Sequence, residues 1–377
     1  MIGFGEASGL MSGKTRRRIG CCISGHGFGH ATRTIAVLQA LGQRLDVELT
    51  LVTTAPACLF AESLPMPFHL HNLAVDVGLV QRNALAEDLP ATLGALEQLS
   101  CRAEEQIVRI AALLADCSLV LCDIAPLGIA AAKRAGIPSV LIENFTWDWI
   151  YEGYADRWSQ LRPYIDALGQ QFRQADYHIQ TRPVCVSASC DLAVDPVARS
   201  LRQPESVRQR LYLEPGQHLV LLTMGGLGGG QVSLQPLLQR PDLVFVLPGG
   251  SRENEFTGNL RFLGQEAFWY HPDLVAAADL VVGKLGYSTV AEAYQAGTPY
   301  AYVPRLDFPE SAILAAFVDN HLWSWPISPQ EWHSGKWLAM LPSLPAKRPP
   351  RIQTANGAEQ AAVWLAALLA KESHAAT

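Results

Sequence analysis

The sequence predicts an α/β protein built as two doubly wound domains in tandem, facing each other across a cleft. Three observations predict it. Short β-rich apolar runs alternate with amphipathic helical stretches, the pattern of parallel βαβ units. That pattern runs through once, loosens into a Pro- and Arg-dotted stretch over 182–205, and then restarts. The 377 residues also exceed one ordinary core and suit two domains of this size.

In the first half, strands are expected over 18–23, 47–53, 119–122, 139–142 and 177–180. Helices fill the intervals at 32–41, 93–115 and 128–134, and 156–175 reads as a further amphipathic helix. In the second half the strands are 218–223, 243–247, 280–282 and 300–303, with a helix over 288–296. A Pro- and Trp-rich stretch, 323–351, precedes a last Ala- and Leu-rich helix over 357–369. The expected domains are 17–205 and 206–355, with the segment 356–372 packing back on the first. In doubly wound sheets ligands bind outside the carboxyl ends of the strands, so the motifs to weigh are those just after a strand.

Composition excludes several function classes. The formal charge is −6 and the charges are scattered, so no basic footprint for nucleic acid is present. No apolar run approaches a bilayer span. Residues 14–18 are basic, but the next stretch carries Gly and His rather than the apolar core of a signal peptide. The eight cysteines fall in strand-like and helical contexts without paired Cys-x-x-Cys spacing, which argues for reduced thiols and against zinc. The expected location is the cytoplasm, with peripheral attachment to a membrane surface left open.

Three glycine-rich segments follow strands. The first is Ser24-Gly25-His26-Gly27-Phe28-Gly29-His30-Ala31-Thr32-Arg33. Its glycines do not have the dinucleotide spacing, and no Gly-Lys-Ser/Thr end makes it a P-loop. A turn that delivers imidazoles as well as amides points to proton chemistry. The second, 223–230, includes Gly225, Gly226 and Gly228 and leaves backbone amides uncovered, as a diphosphate requires; a plain turn reads the same way. In the third, Lys284 and the amides from Gly286 through Tyr287 and Ser288 to Thr289 gather at a helix start, which attracts phosphate. Glu292 lies one turn beyond Ser288 and suits a ribose diol, while Ser288 also suits an N-cap.

Together these motifs resemble the GT-B glycosyltransferases, in which two Rossmann-like domains face across a cleft. Residues 283–299 are similar to the donor signature of UDP-glycosyltransferases, which ends in a glutamate and then Ala-Gly-x-Pro, here Glu292 and Ala296-Gly297-Thr298-Pro299. The nearer resemblance is to the glycosyltransferase-like amino-terminal region of plant L-arabinokinases and their stand-alone bacterial relatives. It is carried by residues 25–33, 76–85, 283–303 and the run Asn144-Phe145-Thr146-Trp147-Asp148-Trp149-Ile150-Tyr151, and it covers 18–320. The sequence departs from the plant-type signature: its His, Trp and Asn correspond to Lys284, Tyr287 and Ser288, and its acidic-Gln pair falls near Asp307 or Glu310-Ser311.

The resemblance implies site residues. The base at the start of the first helix is His30, with His26 its competitor, and the strand-end aspartate that orients it is Asp123. A helix N-terminus keeps imidazole neutral, and a carboxylate stabilises the cation that forms. Donor contacts fall to the second- and third-segment residues named above, with Asp307, Glu310 and Trp269. Acceptor contacts fall to His26, Phe28, Trp147 and Trp149, although the tryptophans equally suit a helix core. The implied activity is inverting transfer of a sugar from a nucleotide sugar, a UDP-sugar, to an unidentified hydroxyl. No cofactor is implied, and no Asp-x-Asp is present to carry a metal. The alternatives are a silent nucleotide-sugar-binding protein and a GT-B epimerase.

Overall fold

A strand covered by helices on both faces must be apolar at every position rather than at alternate ones. In the computed structural model, which describes residues 16–224, 232–264, 269–340 and 355–375, the uninterrupted apolar runs are the central strands of two sheets. The chain first forms β1 (Arg17–Ile23), α1 (Gly29–Gly42), β2 (Val47–Val52), α2 (Ala57–Ser63) and β3 (Phe68–His71). A short hairpin, β4 (Gln81–Asn83) with β5 (Ala86–Glu87), leads into the long α3 (Leu89–Leu114). Then come β6 (Leu119–Asp123), α4 (Pro126–Ala135), β7 (Ser139–Glu143), α5 (Trp147–Glu152), α6 (Arg162–Phe172), β8 (Tyr177–Thr181) and β9 (Leu192–Val194).

The second half begins with α7 (Pro204–Arg210), β10 (His218–Thr223), α8 (Leu234–Leu238), β11 (Leu243–Ser251), β12 (Glu255–Thr257) and β13 (Leu260–Gly264). It continues through α9 (His271–Ala277), β14 (Leu280–Lys284), α10 (Tyr287–Ala296), β15 (Tyr300–Val303), α11 (Glu310–His321) and β16 (Ser324–Pro326). Two short helices, α12 (Pro329–Ser334) and α13 (Trp337–Met340), precede α14 (Gly357–Ala375).

The first sheet has the order β3-β2-β1-β6-β7-β8-β9 and is parallel throughout. The second has the order β12-β13-β11-β10-β14-β15-β16, parallel but for β12. In both, the strand order reverses beside the first strand. That switch point, β1 with β6 and β10 with β14, is where a crevice opens. Helix α14 returns to the first domain, where Ala361, Ala362, Leu365 and Leu369 join the core around Ile35 and Leu38 of α1. Its start is tied down closely: a Cβ on Gly357 would lie 1.9 Å from the Asp195 carbonyl oxygen, so no larger residue fits.

Two expectations are corrected. The helix expected over 156–175 begins only at Arg162, because Pro163 belongs in a first turn and residues 156–161 form turns and one 3-10 turn. The loose stretch 182–205 is not wholly linker, since β9 within it pairs in register with β8 and closes the edge of the sheet.

Candidate functional site

The cleft between the domains lies at the two switch points. Helix α1 starts straight after β1 and α10 straight after β14, so their N-termini meet face to face: a Cβ on Gly29 would lie 4.0 Å from Ser288 Oγ. Neither helix has an acidic residue in its first turn or a side-chain cap. The free amides and positive dipole ends of both therefore point into one space, which favours an anion. Helix α10 is N-capped by Gly286, so Ser288 sits inside the first turn and does not act as the cap.

On the first domain's side, β1 pairs with β6 so that Ile23 stands beside Asp123. His30, Arg33 and Thr34 share one face of α1 and all reach the Asp123 carboxylate. His30 Nδ1 is 3.0 Å from Oδ1. Arg33 donates from Nη2 to Oδ1 at 2.6 Å and from Nε to Oδ2 at 2.8 Å, and the Thr34 hydroxyl donates to Oδ2 at 3.0 Å. Burial alone would raise this carboxyl, but the charge and hydrogen bonds of Arg33, with His30, outweigh it and hold Asp123 below the usual carboxylate range. An ionised carboxylate only accepts, so the nearer Asp123 oxygen draws a proton onto His30 Nδ1 even though Arg33 Nη2 lies 3.3 Å from the same nitrogen; in that tautomer of the neutral ring, Nε2 is the acceptor. Arg33 also donates to Asn144 Oδ1 at 2.6 Å, and Asn144 Nδ2 donates across the cleft to Glu310 Oε1 at 2.7 Å.

His26 is placed differently. Its Nδ1 accepts the Leu79 amide at 3.2 Å, which leaves its proton on Nε2. Burial, then His30, Arg305 and Lys284, push its pKa well below the ordinary value, so the ring is a neutral donor. Of the two imidazoles, His30 is the one with a free acceptor nitrogen.

On the other side, Lys284 ends β14 and lines the cleft. The preceding Gly283 lets the strand ends close, because a Cβ there would lie 1.8 Å from the Thr223 carbonyl oxygen. Burial and the nearby Arg305 lower the Lys284 pKa to about 8. Gly286, Ser288 and Thr289 line the same wall, with Phe28 opposite. Tyr287 lines it with its ring, under the Arg33 guanidinium at 5.2 Å; its hydroxyl is turned away, donating to the Arg182 carbonyl and accepting the Val197 amide.

Several expected contacts do not line the cleft. Glu292 is one turn further from the helix end and 4 % exposed, and its carboxylate is taken: Arg199 donates to Oε1 from Nε and Nη2, both at 3.1 Å, and His271 Nδ1 is 2.7 Å from Oε2. It has no open edge for a ribose diol. Asp307 points outward, its side chain 68 % exposed, and pairs with Arg157, whereas Glu310 does line the cleft. Trp269 donates to Asn254 and lies under Arg210. Trp147 is buried behind the histidines, donating to Asp76 Oδ2 at 2.6 Å, and Trp149 packs into the layer of α3 to α6. Gly225, Gly226 and Gly228 lie outside the described residues.

Sequence reasoning missed Arg33, Asn144, Phe145 and Arg305 as cleft residues. The first three stand inside motifs already singled out. Arg305 had no signal: it is placed by stacking on Phe308 at 3.4 Å and by Glu87 of the β4–β5 hairpin at 3.4 Å.

No family model matches the chain. L-arabinokinase from Arabidopsis thaliana is 28 % identical over 351 residues, covering 90 % of this chain and 33 % of that protein. The chain thus spans about a third of the length of the curated relative it matches. Among solved structures, TcCGT1 in complex with UDP superposes with a TM-score of 0.60 at 14 % identity, covering 95 % of this chain and 100 % of that one. CalG4, the calicheamicin glycosyltransferase, gives 0.58 at 18 % identity, covering 95 % and 99 %. The glycosyltransferase VinC in complex with dTDP gives 0.56 at 15 % identity, with the same coverage. The fold is GT-B, two Rossmann-like domains facing across a cleft.

Proposed function

We propose that the chain is an inverting glycosyltransferase that moves a sugar from a UDP-sugar to an acceptor hydroxyl without a metal ion. One observation carries the reading: two helix N-termini face each other across the cleft, one delivering His30 and the other following the strand end that sets Lys284 in the same cleft. The acceptor oxygen gives its proton to His30 Nε2 and attacks the anomeric carbon. The bond from that carbon to the diphosphate oxygen breaks on the opposite face, so the configuration inverts and the nucleoside diphosphate leaves. Asp123 holds the ring and stabilises its cation. Lys284 and the first-turn amides of α10 take up the negative charge that grows on the diphosphate.

The UDP and dTDP bound in two of the similar structures support a pyrimidine nucleoside diphosphate as the donor's leaving group. Glu310, fixed by Asn144, is the carboxyl placed to meet the donor sugar, and Phe28 and Phe145 offer the acceptor aromatic faces. Glu292 has no part in this reading. No helix among the described residues is long and apolar enough to cross a membrane.

A second reading, a nucleotide-sugar binder without turnover, draws on Arg33, whose guanidinium neutralises much of the Asp123 charge that would favour an imidazolium. The donor class is tested by a melting panel of nucleotides. A ligand at a hundred times its Kd adds about 2.7 kcal/mol, so UDP is expected to raise the melting temperature clearly. A shift with ADP or GDP and none with UDP overturns the donor class. Loss of UDP release on adding EDTA overturns the metal-free mechanism.

A further inference from the structure

A second cavity, of about 330 Å³, lies in the first domain and outside the cleft. Its walls are apolar: Leu96 and Leu99 from α3, Leu127 from α4, Trp147 and Tyr151 from α5, and Leu168 from α6. Its rim is neutral and polar, with Gln170, Gln171 and Gln174, and among its lining residues Asp76 alone carries a formal charge. The hollow opens to solvent at its rim, where Ser100, Ala167, Gln170 and Gln174 are exposed, so a small molecule has a way in.

Asp76 sets the chemistry of that occupant. Its carboxylate accepts Trp147 Nε1 at 2.6 Å, and the Ser24 hydroxyl and Gly25 amide also bond to it. A carboxylate has about four acceptor positions, more than these partners fill, and Asp76 lines the cavity. An anion would meet this carboxylate with no cation among the lining residues to offset it. Trp147 is the shared wall. Its ring is 5.0 Å from that of His26 and 5.9 Å from that of His30, yet it lines the cavity and not the cleft.

We propose that this cavity is a second ligand site, for a flat, uncharged, apolar ring system bearing one hydroxyl that donates to Asp76. An apolar cavity of about 150 Å³ holds benzene, so the space here admits two fused rings. The occupant lies against Trp147, and Asp76 is tied to the turn that carries His26, so occupancy is felt at that turn. The site is distinct from the cleft and does not depend on the transferase reading.

The probe is 2-naphthol, titrated calorimetrically into the full chain, with 2-naphthoate as its anionic counterpart. The wild type is expected to bind 2-naphthol, and both 2-naphthoate and the cavity-filling variant Leu99→Trp to show binding weaker by about tenfold or more. Should Leu99→Trp fail to fold, Ala103→Phe fills the same wall from the next turn of α3 and is expected to show the same loss. The indole N–H resonance of Trp147, assigned with Trp147→Phe, should shift on adding 2-naphthol, and UDP should not reverse that shift. Absence of binding, equal binding by the filled variant, equal binding of the anion, or displacement by UDP overturns the proposal.

Discussion

Two buried carboxylates are held by the same kinds of partner, on opposite domains. Asp123 takes His30 at 3.0 Å and Arg33 at 2.6 and 2.8 Å; Glu292 takes His271 at 2.7 Å and Arg199 twice at 3.1 Å. In both, burial alone would raise the carboxyl, and the arginine and histidine outweigh it and hold it below the usual range. The difference is what lies on the far side of the imidazole. His30 lines the cleft, while His271 and Glu292 do not. Arg199 comes from the segment joining the domains and also lies 3.5 Å from Glu62 of α2, so the second cluster clamps one domain to the other. A histidine, a carboxylate and an arginine make a stable buried group wherever they meet. Only a ring with an open nitrogen facing a ligand space can move a proton for a substrate.

That contrast can be broken at either cluster. His30→Ala is expected to cut UDP release from a turned-over UDP-sugar by about 10²–10⁴-fold, the usual contribution of a positioned base, with UDP affinity unchanged in calorimetry. His271→Ala should leave turnover within about threefold if its cluster only holds the domains together; losses of equal size in both variants would erase the distinction. Glu292→Ala should act on stability, since among the described residues it leaves the buried Arg199 only the Glu62 carboxylate, at 3.5 Å, as a counter-charge. Losing one partner of a buried pair costs about 3 kcal/mol or more, on the order of 10 °C in melting temperature. A variant that melts normally but loses UDP affinity would return Glu292 to the ribose.

The opposite wall sharpens the comparison through pH. The Lys284 pKa lies at about 8, below its unfolded value, so the ammonium is present below that pH and lost above it. UDP affinity should be flat up to about pH 8 and then weaken, by roughly tenfold if one charge-assisted hydrogen bond is lost. Lys284→Met should bind more weakly at neutral pH and show no such fall. A small effect is expected from His26→Ala. Its ring has no free acceptor nitrogen, so turnover should drop only about threefold, far less than the 10²-fold or more a base contributes.

Legibility in the sequence divides along the same line. Strands β1, β6, β10 and β14 were legible because burial on both faces leaves charged and polar residues only at their ends, around an apolar run. His30 and Asp123 were legible through the resemblance, which puts a base at the start of the first helix and an aspartate at a strand end, and the structure brings the two together. Edge strands were not: β9, β12 and β16 have three residues each, with one face or end in solvent. Partners set by docking were not legible either. Glu292 and Arg199 lie 93 residues apart, and nothing local in α10 reveals that the joining segment covers it. Trp147 and Trp149 belong to an aromatic-rich run whose sequence does not say which side of the histidine turn the rings occupy. Asp307 and Glu310 are three residues apart, and only the start of α11 turns one inward and the other out.

The most direct test of transfer is made on the wild-type protein with UDP-glucose, UDP-galactose and UDP-arabinose in cell extract. UDP release is followed together with the anomeric configuration of the sugar on its acceptor. The account predicts that at least one donor releases UDP and that its sugar is recovered with the opposite configuration. UDP binding with no release from any donor would contradict it and leave a binding protein; recovery of the sugar with retained configuration would contradict His30 as the base of a single displacement.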